Sequence, residues 1–130
     1  MKYMLLMHSN KQGWDDMPNT WSSEDIGVMV KFMNELDREL VDSGELVESR
    51  GLAGPDEMKT LQARDDGEPI ITDGPFGETK EVLAGYWVVD VASEERVLEL
   101  AARISRTPGP GGRPLNQAVE IHPEGVAPTG

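Results

Sequence analysis

The sequence predicts an α+β fold in which two amphipathic helices cover one face of a sheet. Two segments carry apolar residues at alternating spacings of three and four, which is typical of helices, and shorter segments carry the runs and alternation typical of strands. They follow one another as strand, helix, strand, inserted hairpin, strand, helix, strand. This order predicts a ferredoxin-like split βαβ sandwich with an inserted hairpin.

Length and composition predict one domain. The chain has 130 residues, and we expect a single domain over residues 1–123 with a frayed Pro/Gly tail over residues 124–130. It has no cysteine, which excludes disulfides and thiolate chemistry. Its net charge of −12 argues against nucleic acid as a partner. The apolar N-terminal run is too short for a signal peptide or a membrane span, so we expect a cytoplasmic protein without a membrane partner.

The first half of the chain predicts a central strand and a long helix. Residues 2–8 are apolar on both faces, as in a central strand, and residues 9–21 read as a polar loop that carries two tryptophans. Ser22 or Ser23 is the predicted cap of the first helix, with Asp25 as its capping-box partner. Gly44 is the predicted end. The apolar stripe of this helix consists of Ile26, Met29, Met33, Leu36 and Leu40.

The second half predicts a hairpin, a strong strand, a second helix and a last strand. Residues 45–50 are a weak strand, and residues 60–64 and 69–72 form a hairpin around Asp65-Asp66-Gly67. The strongest strand spans residues 82–91. A second helix follows the cap Ser93, and residues 118–122 form the last strand. The inner stripe of that helix contains Val97, Leu100, Ala101 and Ile104.

Two helices can cover only one face of such a sheet, so the other face needs its own cover. One alternation set combines apolar and polar residues, which predicts a homodimer formed through the sheets, with the polar part lining a cleft. The set contains Met4, Leu6, Val88 and Ala118 together with His8, Arg64, Tyr86, Glu120 and His122.

The segment of residues 73–81 is unlike an ordinary connection. Asp73-Gly74-Pro75-Phe76-Gly77 combines turn chemistry with one large ring, which predicts a shaped loop. In the charged half that follows, Lys80 can bind an anion, while Glu78 and Glu81 can accept protons or pair with nearby cations.

Together these segments resemble the YCII-related family, and within it the branch named for the Asp-Gly-Pro-Phe motif. The resemblance covers nearly the full chain and is carried by residues 1–6, 72–81, 83–86, 101–104 and 119–121. It implies a dimeric α+β barrel with a cleft near the dimer-facing side of the sheet. Most relatives are uncharacterised, some accompany alternative sigma factors, and a few look like lyases or dehalogenating enzymes that use a His/Asp pair.

That pair does not carry over to this chain. The histidine of the enzyme-like relatives lies on the first helix, where residues 28–33 contain none. Asp42, near the position of the paired aspartate, reads as a solvated carboxylate at a helix end.

The remaining catalytic candidates are His8 and Asp73. His8 ends the first strand and belongs to the residue type best suited to proton transfer near neutral pH, and Asp73 is the carboxylate that could orient it as a general base. The alternatives are a strand-end histidine bonded to backbone and an aspartate that caps a turn. The ligand-binding candidates are Arg64, Glu78, Lys80, Glu81 and Tyr86. His8 and His122 lack metal-ligand spacing, and no phosphate-binding or nucleophile motif is present, so we expect neither metal nor cofactor.

Three functions remain open. The first is a homodimer that binds a small polar metabolite, and the second is a cofactor-independent lyase or isomerase that uses His8 with Asp73 or Glu81. The third is an accessory protein to a sigma-factor system. A His8 nitrogen within about 3 Å of a carboxylate of the 73–81 loop, beside one cavity, would favour the enzyme.

Overall fold

The structure, a computed structural model, describes residues 1–75 and 81–126. In these residues, the helices are α1 (Lys11–Thr20), α2 (Ser23–Asp42) and α3 (Glu94–Ser105). The strands are β1 (Lys2–Asn10), β2 (Leu46–Gly51), β3 (Lys59–Gln62), β4 (Ile70–Asp73), β5 (Glu81–Asp90) and β6 (Val119–Pro123). Short 3₁₀ turns span Pro55–Glu57 and Pro110–Gly112.

The main sheet has the strand order β2-β5-β1-β6, and every neighbouring pair is antiparallel. The predicted central position of β1 is confirmed, because β1 pairs with both β5 and β6. The predicted hairpin is also confirmed, since β3 and β4 form a separate two-stranded sheet. The element order and the pairing together confirm the ferredoxin-like α+β fold.

The core lies between the helices and one face of the main sheet. Alternate residues of β1 and β5 are buried there, and α3 buries all four predicted stripe residues. Together with Leu36 and Leu40 of α2, they form one continuous cluster. Its members from the sheet include Tyr3, Leu5, Met7, Trp87 and Val89.

The predicted caps are confirmed. Ser22 Oγ accepts a hydrogen bond from the Asp25 N–H (3.0 Å), while the Asp25 carboxylate accepts one from the Ser22 N–H (2.9 Å), which completes a capping box. Ser93 caps α3 by accepting from the Arg96 N–H. Gly44 has a φ of 78° just after α2, the left-handed conformation that glycine adopts most easily.

The prediction of a loop over residues 9–21 is wrong, because α1 occupies most of that segment. Asn10 caps α1 by accepting a hydrogen bond from the Gln12 N–H (2.8 Å), and Lys11 pairs with Asp15 one turn later. Gly13 and Pro18 indicated a loop, yet tertiary packing of the apolar side of α1 overrides their low helix propensity.

The predicted stripe of α2 is correct only in its second half. Leu36 and Leu40 are buried, but Ile26 is 38% exposed. The first turns of α2 extend past the core. Met29 and Met33 border a cavity, and Met33 is also partly buried against the core cluster.

The face of the sheet away from the helices is the predicted mixed face, except for Arg64 and for Ala118, which precedes β6. Met4 lies opposite Val88 and His122, and Leu6 lies opposite Tyr86 and Glu120. Arg64, however, lies beyond β3 at the tip of the hairpin, where its Nε–H donates to the Glu68 carbonyl (2.8 Å). The prediction placed it on the sheet because a period-two pattern does not reveal that the hairpin forms a sheet of its own.

Candidate functional site

A cavity of about 390 Å³ opens where the end of β1 meets α1 and α2. We call it the methionine cavity, because Met7, Met17, Met29 and Met33 line it. Its volume lies in the range of small-molecule sites. Methionine side chains are flexible and polarisable, so this wall can adapt to ligands of different shape. Ser9, Asn10 and Gln117 add polar groups to the lining.

Helix α1 forms one wall of the methionine cavity. Trp14 and Met17 lie on one side of α1, Trp21 follows as its C-cap residue at the same spacing of three and four, and all three line the cavity. This spacing was the sequence signal that the loop prediction missed. The Trp14 ring packs on Gly54, where an added Cβ would lie 3.3 Å from Trp14 Cε3. The Trp14 indole nitrogen is buried and has no hydrogen-bond partner among residues 1–75 and 81–126.

A second cavity, of about 300 Å³, adjoins the first and shares Met7, Met33, Gly51 and Ala84 with it. We call it the aspartate cavity, because Asp37 of α2 lines it. The lining also includes Asn34, Ser49, Arg50 and Tyr86. The two cavities are therefore adjacent, and the aspartate cavity adds charged side chains that are absent from the described lining of the methionine cavity.

Two hydrogen bonds hold the Asp37 carboxylate in place. Trp87 Nε1–H donates to Oδ1 (2.9 Å), and Ser49 Oγ–H donates to Oδ2 (2.9 Å). Both donors come from the main sheet, so Asp37 ties α2 to β2 and β5. Sequence reasoning did not select this residue. The only available signal was an acidic residue four positions after Met33 and three before Leu40, at the edge of the apolar stripe of α2.

A charged network lies on the open face of the sheet, across β2 and β5 from the Asp37 side of the aspartate cavity. Glu48 accepts a hydrogen bond from the Tyr86 hydroxyl (3.2 Å) and one from Arg50 Nε–H (3.1 Å). Tyr86 was a predicted ligand-binding residue, and the structure places it in the lining of this cavity.

Both matches to known proteins extend over most of the chain. Residues 1–109 match the family model of the YCII-related domain. The chain belongs to the YCII-related family. An uncharacterised protein of Rhizobium meliloti (strain 1021) is 28% identical over 123 residues, which cover 95% of this YCII-related chain and 91% of the relative.

The two predicted catalytic residues of the YCII-related chain lie in different sheets. His8 is half-buried on β1, opposite Leu83 of β5, and lines neither cavity. Asp73 ends β4, where it pairs with Lys59, and this hydrogen bond lowers the pKa of the Asp73 carboxyl. No hydrogen bond joins His8 to a carboxylate within the parts of the chain that the structure describes.

The other predicted ligand-binding residues are dispersed. Glu81 is exposed at the start of β5, opposite Asn10, and Arg64 lies at the hairpin tip. Glu78 and Lys80, like Phe76, fall outside the described residues. His122 is exposed and contacts Glu120 (3.2 Å).

The described residues offer neither a metal site nor a membrane-spanning helix. No group of three or more histidine or acidic side chains in residues 1–75 and 81–126 is arranged to hold a metal ion. In the same ranges, no helix has the length and apolar character needed to cross a membrane.

Proposed function

We propose that this YCII-related protein binds a small molecule whose apolar part occupies the methionine cavity. The observation that carries this proposal is the cavity itself, about 390 Å³ of space walled by four methionines and two tryptophans. Filling such a space with an apolar ligand removes apolar surface from water on both partners. The sequence predicted the cleft near the open sheet face, whereas this cavity lies on the helix side, because Met7 belongs to the helix-facing set of β1.

Blocking the cavity tests the proposal. The neutral fluorescent probe N-phenyl-1-naphthylamine should bind the wild type saturably, with its emission enhanced in the apolar chamber. Met29→Trp should weaken this binding at least about tenfold, because the larger side chain occupies the chamber. The matched control is Val28→Trp on the same helix, since Val28 is 44% exposed and does not line the cavity. Equal affinities in the two variants would contradict the proposal.

We further propose that the protein is a homodimer joined through the open sheet face, as a dimeric α+β barrel. Met4, Leu6 and Val88 form an apolar strip at its centre, and Met4 remains 38% exposed in the single chain. Tyr86, Glu120 and His122 lie beside the strip, in the arrangement of apolar core and polar rim that interfaces have. A two-fold axis would pair the strip with its own copy.

The oligomeric state tests the dimer. In analytical ultracentrifugation the wild type should sediment as a dimer at micromolar concentration. Leu6→Glu should dissociate it, because the carboxylate would be buried without a partner. Leu98→Glu serves as the control, since Leu98 is 52% exposed on α3. A monomeric wild type would refute this interface, as would a Leu6→Glu variant that still dimerises.

A third proposal concerns the branch of the YCII-related family to which the chain belongs. We place the chain in the Asp-Gly-Pro-Phe branch on residues 73–76, of which residues 73–75 lie in the described part. The enzyme hypothesis has no support from the geometry of His8, because no described carboxylate is hydrogen-bonded to His8 and His8 lines neither cavity. The sigma-factor hypothesis stays a prediction from resemblance.

A further inference from the structure

The Asp37 carboxylate is presented to the aspartate cavity with hydrogen-bonding capacity to spare. A carboxylate has about four lone-pair sites, and the bonds from Trp87 and Ser49 use two of them. Both donors belong to strands of the main sheet, so the carboxylate is oriented without a ligand. Such fixed polar groups confer specificity on a largely apolar pocket.

The charge of Asp37 has no cationic partner in the described parts of the chain. Arg50 lines the same cavity, but its Nε–H donates to Glu48, with which it forms a salt bridge (3.1 Å). Glu48 also accepts from Tyr86 and does not line the cavity, so Asp37 is the only carboxylate among the described residues of its lining. A half-buried carboxylate beside an apolar chamber is stabilised when a cation pairs with it. The net charge of −12 also attracts cations to the protein from solution.

We propose that the ligand is an amphipathic organic amine. Its ammonium group is bound by Asp37 in the aspartate cavity, and its apolar part lies in the methionine cavity. Met7 and Met33 line both cavities, so the two cavities adjoin, and the proposed molecule extends from one into the other. This inference rests on the proposed small-molecule function and adds the chemical class of the ligand.

Two probes of equal length test it. 4-Phenylbutylamine and 4-phenylbutanol share an apolar part and differ in the charge of the terminal group, and calorimetry gives the affinity of each. The wild type should bind the amine at least about tenfold more tightly than the alcohol, as expected for a charge-assisted hydrogen bond. Asp37→Asn should abolish this preference while leaving the alcohol affinity within about twofold. The amide oxygen of the new side chain can still accept from Trp87, which preserves the local packing.

Asp42→Asn is the matched control. Asp42 is an exposed carboxylate on the same helix and lines neither cavity, so its removal changes the net charge by the same amount. The amine preference should survive in this variant. Loss of the preference in both variants would show a general charge effect and would overturn the inference.

The remaining outcomes separate the two proposals. Equal wild-type affinities for amine and alcohol would overturn the ligand class and leave the cavity proposal standing. Failure of both probes to bind would contradict the cavity proposal as well. A second measurement needs no variant: carbodiimide coupling of 4-phenylbutylamine to the wild type should give an adduct at Asp37 by peptide mass mapping, suppressed by excess 4-phenylbutanol. Adducts confined to exposed carboxylates would count against the inference.

Discussion

Replacing Gly85 by alanine should destabilise the main sheet where β2 and β5 pair. Gly85 lies opposite Gly51 in this antiparallel pair. A Cβ at Gly85 would lie 2.8 Å from the Arg50 carbonyl oxygen, about 0.6 Å closer than the 3.4 Å at which ordinary contacts begin. The oxygen belongs to the backbone, so relief requires β2 to move. Overpacking of this kind costs about 1–3 kcal/mol.

Part of this cost is offset. Replacing glycine by alanine lowers the entropy of the unfolded chain, which stabilises the folded state by about 0.4–1 kcal/mol where the backbone conformation allows it. We therefore expect Gly85→Ala to lower the free energy of unfolding by about 1–2 kcal/mol. For a domain of this size that corresponds to a Tm lower by about 4–8 °C.

The residue opposite supplies the control. A Cβ at Gly51 meets no atom within 4 Å, so Gly51→Ala should leave the stability unchanged or raise it by up to about 1 kcal/mol. Thermal and urea unfolding followed by circular dichroism would measure both variants. If Gly85→Ala is as stable as Gly51→Ala, the inference of a backbone close approach is refuted.

Two further predictions concern the helix cap and an ion pair. Ser22→Ala should lower the free energy of unfolding by about 1 kcal/mol, because it removes the capping-box acceptor. The control Ser23→Ala should change this free energy by less than about 0.5 kcal/mol, and urea unfolding measures both variants. Glu45 accepts two hydrogen bonds from Arg96 (2.9 and 3.0 Å), and these lower the pKa of the Glu45 carboxyl. The stability from this pair should therefore be present above about pH 4.5 and be lost as the pH falls through the lowered pKa. Glu45→Gln should be less stable than the wild type by about 1–2 kcal/mol at pH 7 and equal to it in strong acid, as unfolding from pH 7 to 2 would show. The control Glu99→Gln should be as stable as the wild type, because Glu99 is the more exposed partner of Arg96. A loss of stability in Glu45→Gln that does not change with pH would contradict the role of the ion pair.

The elements that sequence alone predicted are those specified by short-range physics. The capping box of Ser22 and Asp25, the stripe of α3 and the position of β1 follow from caps and periodicity. These signals act over a few residues. The hydrophobic periodicity that favours a helix or strand locally is also the one that packs against the core.

The features that sequence did not predict depend on contacts between distant residues. Helix α1 was missed because Gly13 and Pro18 are poor helix formers. The positions of Trp14 and Trp21 depend on packing around the methionine cavity. Arg64 was placed on the wrong sheet because period two gives the face of a strand and not its partner.

For the candidate site, the sequence alone determined the α+β architecture, in which two helices cover one face of a sheet. Tertiary structure decided where the cavities lie and which carboxylate faces them. Asp37 is fixed by Trp87, 50 positions away along the chain, and by Ser49 on another strand. Pairwise contacts of this kind leave no periodic trace in a single sequence. Tertiary structure therefore revealed Asp37, while the residues with the most distinctive sequence signal, Asp73 and its neighbours, lie in the hairpin sheet or beyond the described residues.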